Sequence, residues 1–345
     1  MRTLLFLVAL VAAPTLFAQR LGELKLATQS YGLNKFKKAD QRIYIGNFTV
    51  HYQTHFSLRD SKAGSTKRGS SQVVSNVAIG GLTEKELLQT TNDIFLHFRR
   101  TLTDAGYTFI DAEEAGKIDL FQDWERVEGG RLFQAKNLYG YTSVVPEGFA
   151  YYVRRDNGKV KRKIVSPDSK ITKQLDDAIV ANVHVYVSFA EDGETGWSRS
   201  LKRAADFSKV VIKTNLRIGD PSMSAQGGLG EQMGLGPRVA DLPRGLSLAG
   251  GGAVGLGTQA AHVVTFKKPL QIEEVMAEEK IKEFAQGESG AGYYFSSGVY
   301  FLSSEEVTAT RSIAYDKAAY LRGVTEAGKA FINAGLAAFL AKAGK

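Results

Sequence analysis

The stretch that most constrains the fold is Leu82–Asp111. Thr83 followed three residues later by Glu86 spells a capping box, and Leu82 and Leu87 stand at the two positions of a hydrophobic staple. Leu87, Thr91, Ile94, Phe95, Phe98, Leu102 and Ala105 then recur at steps of three and four, which draws one apolar stripe on a helix. Gly106 supplies the left-handed residue that ends it. Tyr107–Ile110 leaves as a short strand. A helix so delimited, feeding a strand, is a building block of a mixed α/β domain.

Other segments carry the period of two. In Arg42–Leu58, Phe48, Val50, Tyr52, Phe56 and Leu58 share one face and His51, Gln53 and His55 the other. Ile43 and Ile45 are out of phase with that series, and Gly46-Asn47 just after them predicts a β-bulge. Gln72–Ile79 is a second strand. Ala181, Val183, Val185, Val187 and Phe189 alternate with Asn182, His184, Tyr186 and Ser188. In Ser208–Ile218, Val210, Ile212, Leu216 and Ile218 oppose Lys209, Lys213 and Arg217, and Gly193 suits an antiparallel connection.

Phe149–Val153 and Val160–Val165 flank Asn157-Gly158, the strongest two-residue hairpin signal. Ser166-Pro167-Asp168 opens a short helix, Ile272–Gln286 reads as another, and Asp316–Lys342 as a long final one. Ala261–Phe266 and Tyr293–Leu302 read as strands. Gly219–Gly257 is dense in glycine, has neither period, and reads as a long loop.

The expected fold is therefore α/β of the α+β type, a mixed, largely antiparallel sheet with helices packed on it. Residues 19–40 form a lead-in. A single domain spans 41–345, with insertions near 116–165 and 219–260.

Residues 1–18 read as a secretory signal peptide: Arg2, a short apolar run Leu4–Ala13, then Leu16-Phe17-Ala18 before the cut. The expected address is exported: periplasmic, outer-membrane-associated or secreted. No later stretch is apolar for long enough to cross a bilayer as a helix. The chain has no cysteine, which excludes disulfides and a lipoprotein anchor. Its formal net charge of +8 favours anionic envelope surfaces or polysaccharides. The export signal argues against nucleic acid as a natural partner.

Two groups of residues are candidate sites. Arg154, Arg155, Lys161, Arg162 and Lys163, with Tyr151 and Tyr152 between them, concentrate positive charge on one hairpin. Like charges facing across strands cost stability. They protect an edge strand from aggregation, or form an anion-binding finger for lipopolysaccharide phosphates, acidic glycans or an acidic partner. His51 and His55 could share a metal only if the strand bends and further ligands arrive. The plainer reading puts them on the solvent face of an edge strand. No nucleophile elbow, Walker sequence or other catalytic motif is present, and no cofactor is implied. Gly250-x-Gly252-x-x-Gly255 has the dinucleotide-binding spelling without the strand before it and the helix after it.

Arg42–Val50, Asp93–Asp111, Ala178–Ala190, Val210–Asp220 and Phe331–Ala341 together resemble the envelope α/β domains of the curli-secretion-channel (CsgG-like) type and the related N-terminal domain of TolB. The resemblance implies a non-enzymatic envelope protein that works by self-assembly or by binding, as a possible homo-oligomer or with another envelope protein. The channel family is lipid-anchored through an N-terminal Cys, which is lacking here. Its membrane-crossing hairpins are alternating strands, unlike the Gly/Pro-rich stretch. The alternative function is an extracytoplasmic hydrolase with an acidic-residue active site hidden by tertiary folding.

Overall fold

The structure, a computed structural model, describes residues 20–37, 41–62, 71–134, 138, 140–156, 159–160, 167–194, 208–219, 243–254, 257–284 and 311–343. The expected signal peptide, Tyr293–Leu302 and most of the Gly/Pro-rich stretch lie outside the described residues.

In chain order the elements are β1 (Leu26–Tyr31), α1 (Leu33–Phe36), β2 (Arg42–Gln53), β3 (His55–Lys62), β4 (Ser71–Ala78), α2 (Glu84–Asp104) and β5 (Thr108–Ile110). Then come α3 (Ala112–Ala115), β6 (Glu125–Glu128), β7 (Arg131–Phe133), β8 (Tyr141–Val145), β9 (Ala150–Val153), β10 (Arg155–Asp156), β11 (Lys159–Val160) and α4 (Asp168–Gln174). The last part holds β12 (Ile179–Asp192), β13 (Lys209–Gly219), β14 (Gly245–Val254), β15 (Gly257–Phe266), β16 (Leu270–Gln271), β17 (Glu279–Phe284), β18 (Arg311–Ser312) and α5 (Lys317–Ala343).

The architecture is α+β: one large mixed, mostly antiparallel sheet with helices packed on it. Strand β12 is its axis. One edge of β12 pairs in parallel with β2. The other edge is divided lengthwise between β14 and β13, both antiparallel.

The bulge in β2 explains its phase change. Ile45 pairs with Ala181 but Asn47 with Asn182, so Gly46 is the extra residue. That single insertion brings Ile43, Ile45, Phe48, Val50 and Tyr52 into one apolar cluster. The Arg42–Leu58 stretch then turns a corner at Thr54, where Thr54 and His55 both donate their amides to the Gly140 carbonyl. Phe56 and Leu58 resume on the same cluster from β3, which pairs with β4 in a small second sheet.

Helix α2 has the ends its sequence spells. Glu86 N donates to Thr83 Oγ1 at 3.3 Å, and Thr83 N to Glu86 Oε2 at 2.8 Å. At the other end Tyr107 N reaches Leu102 O and Gly106 N reaches Thr103 O, with Gly106 at φ 87°, a Schellman motif. Helix α5 lies beside it on the same sheet face. Gly328 allows this approach, since a Cβ there would stand 2.6 Å from Ile94 Cδ1. His97 Nε2 meets Asn333 Oδ1 at 2.7 Å across the pair. Along α5 the buried row runs from Tyr320, Val324, Ala327 and Phe331 to Gly335, Leu336 and Phe339, leaving Ala334 exposed. No helix among the described residues is long and apolar enough to cross a membrane.

Four expectations are corrected. The lead-in contains β1, an edge strand paired with β15, and α1, whose Phe36 packs edge-on against Phe339. Within the glycine-rich stretch, 245–254 is strand β14 of the main sheet, where small residues permit close approach: Gly245, at φ 64°, sits so near the Val264 carbonyl that a Cβ would collide with it. The segment 116–165 is not wholly an insertion, because β8 pairs with β2.

The described part of Ile272–Gln286, through Phe284, is not a helix. Glu274 has φ 62°, and β17 pairs antiparallel with the lysine-bearing β13. Lys213 Nζ bonds Glu278 Oε1 at 2.6 Å, and Ile281 is buried between Lys280 and Lys282. Tertiary pairing overrides the local helical spacing there.

Candidate functional site

Helices α2 and α5 cover one face of the sheet. The alternation of β2 and β12 that points apolar residues at them sends a polar set to the opposite face. His51, Ser143 and Tyr186 stand side by side on β2, β8 and β12. His51 Nδ1 lies 2.7 Å from Ser143 Oγ, and its Nε2 lies 3.3 Å from His184 Nδ1. The His51 ring also stacks on Tyr186, with centroids 4.3 Å apart, and the Tyr186 hydroxyl donates to the Pro243 carbonyl at 2.7 Å.

The set continues toward β13. Tyr141 faces Gln53 across β8 and β2, and its hydroxyl lies 2.8 Å from Ser188 Oγ. Ser188 is opposite Arg217. Arg217 is only 1% exposed; its guanidinium donates to Ala190 O at 2.9 Å, lies 3.3 Å from Glu191 Oε2, and hydrogen-bonds Asn215 Oδ1. Gln53 Oε1 accepts from the amides of Phe189 and Ala190, where the β12–β13 register shifts.

Burial dominates the electrostatics. His184 is depressed to about 4 by burial. His51 falls well below its ordinary value through burial first and the neighbouring His184 second. Arg217 is lowered by burial, opposed by Glu191. Both imidazoles are neutral at neutral pH, so one N–H bridges them. The order Ser143–His51–His184 has the connectivity of a nucleophile, base and orienter. Ser143, however, has no exposed surface. The network therefore acts as a buried polar ladder that ties four strands together.

This places the histidines expected as candidate ligands. His51 is not on the solvent face of an edge strand: β2 is interior to the sheet and His51 is buried. His55 stands beyond the Thr54 corner, also buried, and is depressed to about 4 by that burial. Among the described residues neither joins a group of three or more His, Asp or Glu side chains able to hold a metal. Ser143 and the His184 and Tyr186 contacts escaped the sequence reading, since they meet only through long-range strand pairing.

The described residues flanking Asn157-Gly158 pair in the expected register. Arg155 pairs with Val160 and Asp156 with Lys159, antiparallel. Arg154 is half-buried at the hairpin base. Lys161, Arg162, Lys163 and the side chain of Arg155 lie outside the described residues. Tyr152 anchors the stem. Its ring stacks on Phe121 with centroids 4.4 Å apart, and its hydroxyl donates to Ala112 O at 2.9 Å. Tyr151 likewise stacks on Phe149. Strand β9 is held along its other edge by β6. Gly250 and Gly252 of the Gly250-x-Gly252-x-x-Gly255 spelling lie on β14, whose partner β15 is a strand and not the helix N-terminus a pyrophosphate needs.

No protein-family model, curated protein or solved structure matches the chain.

Proposed function

We propose that this chain is a non-catalytic, exported envelope protein that binds an anionic envelope component, or an acidic partner protein, through its basic hairpin. The observation that carries the reading is the union of charge and anchorage. The hairpin sequence holds Arg154, Arg155, Lys159, Lys161, Arg162 and Lys163 against a single acidic residue in composition, Asp156. Its stem is fixed to the core by Tyr152 and Phe121. A charged finger on a fixed base loses less entropy on binding than a free tail does.

Self-assembly belongs to the same reading. Edge strand β1 carries no charged residue between Leu26 and Tyr31, so it lacks the usual protection against pairing with a second copy. The reading groups the domain with the CsgG-like and TolB N-terminal type, on the order β2, α2, β5, the β12–β13 pair and α5.

The test is co-sedimentation of the full chain with vesicles containing phosphatidylglycerol, against phosphatidylcholine alone, over a salt series. Binding should require the anionic lipid, weaken as salt rises, and drop by about tenfold or more in Arg154→Ser/Lys161→Ser/Lys163→Ser. Vesicle binding that ignores those substitutions removes the hairpin from the account. Absence of binding to either vesicle and to an acidic glycan such as alginate removes the anion-binding function.

A further inference from the structure

Strand β2 has a second divided edge, the one facing away from β12. Strand β5 pairs with Arg42–Tyr44 in parallel, and β8 pairs with Val50–Gln53 antiparallel. Between them no described strand pairs with this edge, and the Gly46 bulge falls in the same gap. A crevice of about 270 Å³ opens there, just beyond the carboxyl end of β5. Such a place, where the partners of one strand diverge, is where open sheets with helices on their faces receive ligands.

Part of the lining is apolar. Ile45, Phe95, Ile110 and Phe149 line the crevice and are buried, with Phe95 and Phe149 ring centroids 5.4 Å apart. The lining also holds two charges of opposite sign that do not pair. The Arg99 guanidinium lies 4.8 Å from the Phe109 centroid and 5.8 Å from that of Phe95. Among the described residues it has no ion pair or hydrogen bond, and the same holds for the Glu113 carboxylate. The other charged lining residues are engaged: Asp111 Oδ1 accepts from Glu114 N at 2.7 Å, and Arg126 Nη2 meets Glu128 Oε1 at 2.8 Å.

We propose that this crevice binds a small zwitterion with an apolar body, of the size of an aromatic α-amino acid. Its carboxylate lies on Arg99, its ammonium on Glu113, and its apolar group against the contacting rings of Phe95 and Phe149. An apolar pocket with a few placed polar groups is the ordinary form of a small-molecule site. Arg99, held against two ring faces, is already oriented to receive a carboxylate. The site is separate from the basic hairpin and does not depend on it.

The test is isothermal titration calorimetry of the full chain with phenylalanine, phenylacetate and phenethylamine. Phenylalanine should bind, with each singly charged analogue weaker by about tenfold or more. Arg99→Gln should weaken phenylalanine and phenylacetate by a similar factor while leaving phenethylamine unchanged; Glu113→Gln should do the converse. Both positions are exposed, so thermal unfolding should barely move. Absence of heat with phenylalanine overturns the site. Equal affinity for phenylacetate, or phenylalanine binding unaltered in both variants, overturns the zwitterion assignment.

Discussion

His51 on β2 and His184 on β12, 133 residues apart in the chain and both buried, approach to 3.3 Å between Nε2 and Nδ1. Two imidazoles so placed share one proton and have no room for a second. Their environment makes the fold sensitive to acid.

In the unfolded chain histidines titrate near their ordinary value of about 6.5. In the fold His184 is depressed to about 4, His55 likewise, and His51 lies well below its ordinary value. Between those limits the unfolded chain holds more protons than the folded one. Stability is therefore fully present above pH ~6.5 and falls as pH drops toward ~4, by on the order of 3 kcal/mol for His184 alone. Urea midpoints measured across that range should fall steadily, and His184→Phe should flatten the slope. A midpoint indifferent to pH in that window would contradict the burial of these rings.

The corner between β2 and β3 hangs on Gly140. Its φ is 75°, a Cβ there would collide with the His55 carbonyl, and its own carbonyl takes the amides of Thr54 and His55. Gly140→Ala adds left-handed strain to a backbone collision, and a loss of about 2–4 kcal/mol is expected. Thermal unfolding of the variant checks it. A shift no larger than that of an exposed Gly148→Ala, where nothing lies within 4 Å, would show that the corner can relax.

At the start of α2, Thr83→Ala removes the acceptor for Glu86 N and should cost about 1 kcal/mol. Lys317→Ala breaks the 2.7 Å contact from α5 to the same glutamate, yet should cost only about 0.5 kcal/mol because the lysine is half exposed. Chemical denaturation of the two variants orders them. The reverse ranking would mean that the link between the helices matters more than the cap.

What the sequence disclosed and what it hid divide along local and distant pairing. The capping box of α2, its Schellman end at Gly106, the bulge at Gly46 and the alternation of β12 are written within a few residues and appear in the structure. Strand β14 was hidden because Gly250 and Gly251 suppress the period of two, although Gly250 is needed where Phe36 packs. The segment after Ile272 mimicked a helix, and its pairing with β13 reaches across more than sixty residues. The polar ladder could be read only as a row of side chains on each strand. Which row meets which is set by long-range pairing, parallel between β2 and β12 and antiparallel to β8 and β13, which leaves no local signature. The crevice beside Gly46 was hidden for a similar reason, since it exists only because β5 and β8 divide one edge.

Arg217 and Glu191 supply the sharpest test of that ladder. Arg217 is 1% exposed and Glu191 23%, with 3.3 Å between Nη2 and Oε2. Glu191→Gln leaves a buried guanidinium without its counter-charge, which should cost about 3 kcal/mol. Arg217→Met removes the charge and keeps most of the volume. The remaining carboxylate can turn toward solvent, so the loss should come mainly from the unmet carbonyls of Ala190 and Asn215. The double variant Glu191→Gln/Arg217→Met should then be more stable than Glu191→Gln alone, because the isolated buried charge is gone. A double-mutant cycle of denaturation midpoints reads this directly. Simple additivity of the two losses would show that the pair does not interact, and that Arg217 is held by its backbone acceptors alone.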